Sequence, residues 1–299
     1  MVNGLQHKYP QTALLLVTDK CFSYCRFCFR KRLLGKSSHE IVHDYAMAAD
    51  YITEHPEINN VLLSGGDPFV LASDQLGSIL DRLLEIPHVT SIRFGTKAMA
   101  YYPMRFRDRE LADLFKRISL SGKTPVIVTH IDHIGEISEE TENRIRELQQ
   151  LGVQFFNQAV LLKKVNDDPE TLAATFKKLN SLGVQPYYLF QARPVEGTSH
   201  FQVSLRRGIE IVCEVNARLS GMQKTFRYVM SHYTGKIEIL DIDEDNWLYM
   251  RYHQTTNAQR PGQIFSRPYC EGACWLDDLP YQADAEAAEQ TVLLKVTGS

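Results

Sequence analysis

Six short apolar runs recur along the chain at intervals of about thirty residues, the length of one strand-plus-helix unit. They are Ala13–Val17, Asn60–Leu63, Ser91–Phe94, Pro125–Val128, Val153–Val160 and Gln185–Phe190. Helix signals fill the intervals. Ser73 reads as the cap of a helix carrying Leu76, Ile79, Leu80 and Leu83, and Ser138 starts one carrying Ile145 and Leu148 that stops at Gly152. Asp168 is a cap with Pro169 at the first helical position, and Gly183 ends that helix. Another runs from Ser204 to Leu219, with Gly221 just beyond it. Alternating strands and helices make a parallel sheet. Six units are too few for a closed eight-stranded barrel. The expected α/β fold is therefore a partial, open (βα)6 TIM-like barrel with ligands at the C-terminal ends of its strands. Lys236–Leu240, the polar turn Asp241–Asn246 and Trp247–Tyr252 read as a C-terminal β-hairpin. The expected division is a core of residues 1–230 and an extension of residues 231–299, ending in an Ala- and Glu-rich helix or loose tail.

With 299 residues, 44% of them hydrophobic, the chain can bury a sizeable core. A net charge of -3 provides no global positive field for nucleic acid or an anionic membrane. No stretch approaches the roughly 18 apolar residues that span a bilayer. Leu14–Val17, followed by Asp19, is too short for a signal-peptide core and reads as a strand. The expected location is the cytoplasm.

Three of the six cysteines stand together, as Cys21-Phe22-Ser23-Tyr24-Cys25-Arg26-Phe27-Cys28, on the loop that follows the first apolar run. A large chain without a signal peptide argues against a disulfide framework. The spacing suits three thiolates around an iron–sulfur cluster with one iron left open, because such clusters usually take four cysteines. Two other readings stand beside it: a redox dithiol of Cys25 and Cys28, which leaves Cys21 idle, and a structural zinc site, which needs a fourth ligand. Cys270 and Cys274 could complete a zinc site only from far away in sequence.

The cysteine segment resembles the signature of the radical S-adenosylmethionine (SAM) superfamily, including the aromatic Phe27 before its last cysteine, a position that lies against adenine in that superfamily. Leu62-Leu63-Ser64-Gly65-Gly66-Asp67-Pro68 after the second run matches a second superfamily element. Its glycines allow close backbone approach, and Asp67 offers a carboxylate to an ammonium group. The resemblance implies a [4Fe-4S] cluster on Cys21, Cys25 and Cys28, with SAM on the open iron. Reductive cleavage of SAM then yields a 5′-deoxyadenosyl radical that abstracts hydrogen from substrate, with a flavodoxin or ferredoxin as electron donor.

From Gly4 to Lys236 the chain is similar to the lysine 2,3-aminomutase family. The residues that carry the likeness are Gly4–Pro10, Arg30-Lys31-Arg32, Ser64–Pro68, Ile86–Val89, Thr129–His133, Asn157–Leu162, Val165–Asp167, Pro186–Tyr188, Gly208–Ile211 and Gly235-Lys236. The family moves an amino group from C2 to C3 of an amino acid, with pyridoxal phosphate (PLP) on a lysine. Lys236 occupies that lysine's position. Arg30 falls where the substrate α-carboxylate is held, a task that suits a bidentate guanidinium. His130 and Gln158 match positions lining the SAM site, and Lys8 and Tyr9 match phosphate-contacting positions. A homo-oligomer is the family's precedent, and a small amino acid is the expected substrate.

Several positions depart from the family pattern. Where lysine-specific members present two aspartates to the distal ammonium, this chain has Arg193 and Val229. An ammonium facing Arg193 at 4 Å would be repelled by about 1–4 kcal/mol. Free lysine is thus an unfavourable substrate, while Arg193 suits an acidic side chain or a pair with Glu196. Thr12 stands in place of a family arginine, and Ser231–Gly235 is bulkier than the family's glycine-rich run. The family's helical N-terminal extension has no counterpart before Gly4. Cys270 and Cys274 read as ordinary buried thiols. The rival readings are a PLP-independent hydrogen abstraction by the same family, and a structural metal-binding protein.

Overall fold

All six expected runs are strands of one sheet in a computed structural model, which describes residues 2–34, 40–257 and 260–280. The chain begins with β1 (Leu5–Tyr9) and β2 (Thr12–Thr18). It continues through α1 (Tyr45–Thr53), β3 (Asn60–Gly65), α2 (Ser73–Leu84) and β4 (Ser91–Thr96). The short α3 (Ala98–Tyr101), α4 (Arg109–Leu120), β5 (Thr124–Thr129), α5 (Glu139–Gln150) and β6 (Gln154–Leu161) follow. Then come α6 (Pro169–Ser181), β7 (Val184–Gln191), α7 (Leu205–Arg218) and β8 (Arg227–His232). The last strands are β9 (Gly235–Ile242), β10 (Trp247–Thr255) and β11 (Ile264–Pro268).

The strands pair in sequence order from β1 to β11, and the sheet stays open. Neighbours from β2 to β8 are parallel, whereas β1–β2, β8–β9, β9–β10 and β10–β11 are antiparallel. Six strand–helix units therefore end in a seventh parallel strand, β8, whose Arg227, Ser231 and His232 interrupt any apolar run. The short edge strand β1 was equally hidden, because its alternation is carried by Gln6, His7 and Lys8. The division expected at residue 230 falls inside β8, and the hairpin β9–β10 continues the same sheet. The Ala- and Glu-rich tail lies outside the described residues.

Ser138, Asp168 and Ser204 cap their helices as expected, each accepting a backbone N–H three residues on. Ser73 does not: Ala72 is the cap residue, and Ser73 is the first helical residue of α2. Its hydroxyl donates instead to Asp108, the cap of α4, at 2.8 Å. One face of the sheet buries Leu15, Val61, Leu63, Phe94, Ile127, Phe155 and Leu189 beneath Ile52, Leu80, Phe115, Leu148 and Phe176 of the helices. Because strand side chains alternate, Leu62, Arg93, Gln158, Tyr188, Phe190 and Lys236 share the other, inner face.

Candidate functional site

The cysteine loop leaves the C-terminal end of β2. Ser23 Oγ lies 3.8 Å from Cys21 Sγ and 3.3 Å from Cys25 Sγ, so three side chains converge. Tyr24 turns the chain at a φ of 39°, and the Cys28 N–H donates to the Cys25 carbonyl at 3.0 Å. All three cysteines are free and half-buried. Burial pushes the Cys25 and Cys28 thiols up. Three thiols on one loop supply three of the four cysteines that an iron–sulfur cluster usually takes.

The glycines of Ser64–Pro68 act on this loop from below. Gly66 N–H donates to the Thr18 carbonyl at 2.7 Å and Asp67 N–H to that of Lys20 at 2.8 Å, zipping the turn onto the residues just before Cys21. A Cβ on Gly66 would stand 1.9 Å from Lys20 O, and one on Gly65 2.2 Å from Thr18 O. Gly65 also sits at a φ of +124°, closed to ordinary side chains. These glycines serve backbone-to-backbone contact.

Asp67 departs from its expected role. It is 1% exposed. Its carboxylate accepts from the Thr96 hydroxyl at 2.8 and 2.9 Å, from Lys97 N–H at 2.9 Å and from Phe69 N–H at 3.1 Å. It is a capping anchor between β3 and β4, with no free oxygen for an ammonium group.

A buried ion cluster the sequence reading did not assemble lies beside the loop. Lys97 Nζ donates to Asp132 Oδ2 at 2.9 Å, to both Glu136 oxygens at 3.0 and 3.2 Å, and to the His130 carbonyl at 2.9 Å. Burial opposes charge on both Lys97 and Asp132, yet their attraction, with His130 and Glu136, outweighs it. The Lys97 ammonium is held above its usual range and the Asp132 carboxyl well below its own. His130 Nε2 stands 2.9 Å from Asp132 Oδ2, and its ring stacks on Phe27 with centroids 5.6 Å apart. Phe27 and His130 thus form one aromatic wall above the cluster loop. Asn157 and Asn166 brace it by bonding the backbones of Ile131, Asp132 and Val160.

Deeper in the sheet, Lys236 Nζ lies over the rings of Tyr188 at 4.2 Å and Phe190 at 5.7 Å. No hydrogen bond or ion pair holds it among the described residues. Burial first, then the charges of Arg93 and Lys8, lower its ammonium from 10.5 to about 7. Arg93, on β4, was absent from the sequence reading because Lys236, the group its charge acts on, lies five strands away on β9. It donates to Asn60 Oδ1 at 3.0 Å and meets no carboxylate among the described residues. Lys8 Nζ donates to the His232 carbonyl at 3.1 Å, and burial pushes the Tyr9 phenol up to about 12. Gln158 opens onto the same face at a break in the β6–β7 register. An amine against aromatic rings, with two further cations near it and no carboxylate paired to it among the described residues, suits an aldehyde that carries a phosphate.

Arg30 Nη1 donates to Ser64 Oγ at 2.7 Å, and its guanidinium lies 5.1 Å from the Phe29 ring. Arg193 lies 5.8 Å from the same ring. It forms no pair with Glu196, whose carbonyl takes Lys31 instead. Val229 is fully buried opposite Phe190 and Glu238. Cys270 and Cys274 are only partly buried. Their thiols donate to the carbonyls of Asp278 and Gly272, so the expected burial is not met.

The open parallel sheet with a three-cysteine loop after its first parallel strand defines a radical SAM protein, and the family model "Radical SAM superfamily" matches residues 15–176. A putative L-lysine 2,3-aminomutase of Aquifex aeolicus is 43% identical over 279 residues, 93% of this chain and 74% of that protein. The L-lysine 2,3-aminomutase of Clostridium subterminale and the glutamate 2,3-aminomutase of Clostridioides difficile are each 37% identical, over 74% and 73% of this chain. The chain spans about half the length of these two, 52% and 51%. Streptococcus suis SuiB bound to S-adenosylmethionine shares the fold at a TM-score of 0.56 and 12% identity, over 75% of this chain and 51% of its own. The chain belongs to the lysine 2,3-aminomutase family of the radical SAM superfamily. The family implies SAM and a [4Fe-4S] cluster. Among the described residues no helix is long and apolar enough to cross a membrane.

Proposed function

We infer that the protein is a PLP-dependent amino acid 2,3-aminomutase whose substrate carries an acidic rather than a cationic side chain. The observation that carries this reading is Lys236, an unpaired inner-face amine with its ammonium lowered to about 7. When bound, the cluster with SAM supplies a hydrogen-abstracting radical, and PLP supplies a carbonyl that captures amines.

The chain's own residues perform the rest. Near neutral pH a substantial share of Lys236 is neutral, able to hold an aldehyde and to give up its place to a substrate amine. Arg93 and Lys8 set a positive field for a phosphate, taking over where Thr12 replaces arginine. Tyr188 and Phe190 wall the amine off from water. Arg30 pairs with the α-carboxylate. Arg193, beside the same Phe29 ring, attracts a second carboxylate and repels an ammonium. A reducing flavodoxin or ferredoxin supplies the electron.

The test is anaerobic incubation of cluster-reconstituted protein with SAM, PLP, a reductant and single amino acids, with products read by mass spectrometry. A β-amino acid formed from glutamate or aspartate supports the reading. Efficient β-lysine formation defeats the substrate assignment. 5′-Deoxyadenosine without any β-amino acid transfers the assignment to PLP-independent hydrogen abstraction.

A further inference from the structure

We propose that His7, His55 and Glu57 form a divalent-metal site of the zinc class on the outer surface, separate from the cluster loop. One ring nitrogen of each histidine and one carboxylate oxygen of Glu57 lie within 4.8 Å of one another. His7 projects from the edge strand β1, whereas His55 and Glu57 follow the C-terminal end of α1.

The hydrogen bonds preset the tautomers. His7 Nε2 faces the Pro10 carbonyl at 3.0 Å, and His55 Nδ1 faces the Tyr51 carbonyl at 2.6 Å. A carbonyl only accepts, so each of these nitrogens carries the proton. The lone pair is left on His7 Nδ1 and on His55 Nε2. A histidine whose one ring N–H is fixed on a carbonyl has its other nitrogen oriented for a metal, as metal-bound histidines usually do, and His55 keeps that nitrogen open. Tyr51 ties the two together: its hydroxyl donates to His7 Nδ1 at 3.1 Å, a bond that a metal ion would displace, and its ring stacks on His55 at 3.9 Å. Two imidazoles and one carboxylate leave further positions for water, and imidazole donors select zinc-like ions over magnesium.

The metal would tie β1 to α1. Among the described residues β1 pairs with β2 alone, through a ladder interrupted by an irregularity between Gln6 and Tyr9. Lys8, next to His7, reaches the inner face through its bond to His232. Clamping His7 therefore stabilises the strand that presents Lys8.

The experiment uses cluster-loaded protein, with Cys21, Cys25 and Cys28 occupied, in a Cys270→Ser, Cys274→Ser background. The protein is equilibrated with Zn2+, with Mg2+ as control, and bound zinc is counted by plasma mass spectrometry. The expected result is one zinc per chain with a raised unfolding temperature, both lost in His55→Ala and in Glu57→Ala. Circular dichroism verifies that the variants fold. No zinc in the parent, or undiminished zinc in both variants, overturns the proposal.

Discussion

Replacing Lys236 by methionine should make the PLP-free protein more stable at neutral pH. Lowering the ammonium from 10.5 to about 7 corresponds to about 5 kcal/mol at ~1.36 kcal/mol per pH unit. The rings of Tyr188 and Phe190 return about 0.5–2 kcal/mol to the charged form. Methionine keeps the apolar contact with those rings, so a net gain of about 3 kcal/mol is expected. The sign depends on pH. Between about 7 and 10.5 the unfolded chain holds a proton at this lysine that the folded chain has shed, so wild-type stability rises with pH across that window. Below it both states are protonated and the full penalty stands. Urea midpoints of the two proteins, compared at about pH 6.5 and about pH 10.5, measure the effect. The variant should lead at the lower pH and converge with wild type at the higher. A methionine variant no more stable at the lower pH, or a difference independent of pH, would refute burial of an unpaired amine.

Four further outcomes follow from the geometry. Gly66→Ala places a methyl 1.9 Å from Lys20 O, so it should cost about 1–3 kcal/mol and lower iron content after reconstitution. Lys97→Met leaves Asp132, at 1% exposure, without its ammonium partner; a loss of about 3–5 kcal/mol in denaturant unfolding is expected. Arg93→Met should weaken PLP binding about tenfold, or ~1.4 kcal/mol, in an absorbance titration; unchanged affinity would remove Arg93 from the phosphate field. Joint Arg193→Asp and Val229→Asp substitutions should shift turnover towards lysine, read by product mass spectrometry.

Much of the fold was legible because its signals are local. A serine or aspartate cap bonds an N–H only three residues away, so Ser138, Asp168 and Ser204 declared their helices. Ser73 misled because its hydroxyl bonds across to Asp108, a partner no local pattern contains. β1 and β8 escaped because polar side chains stand on a face that local hydropathy cannot assign.

The site divides along the same line. Cys21, Cys25 and Cys28 lie within one loop, so their spacing suited an incomplete ligand set for a cluster, and the resemblance of the segment chose that reading over a dithiol or a zinc site. The glycine turn was visible too, but its purpose was not: only the paired backbones of β2 and β3 reveal that Gly65 and Gly66 brace the cysteine loop and that Asp67 is sealed inside. The character of Lys236 belongs wholly to tertiary structure. In sequence it opens a hairpin; its altered basicity comes from burial among rings on β7 and from charges on β1 and β4. Chemistry carried by neighbouring residues is written in order along the chain, whereas electric fields and burial arise only when distant strands meet.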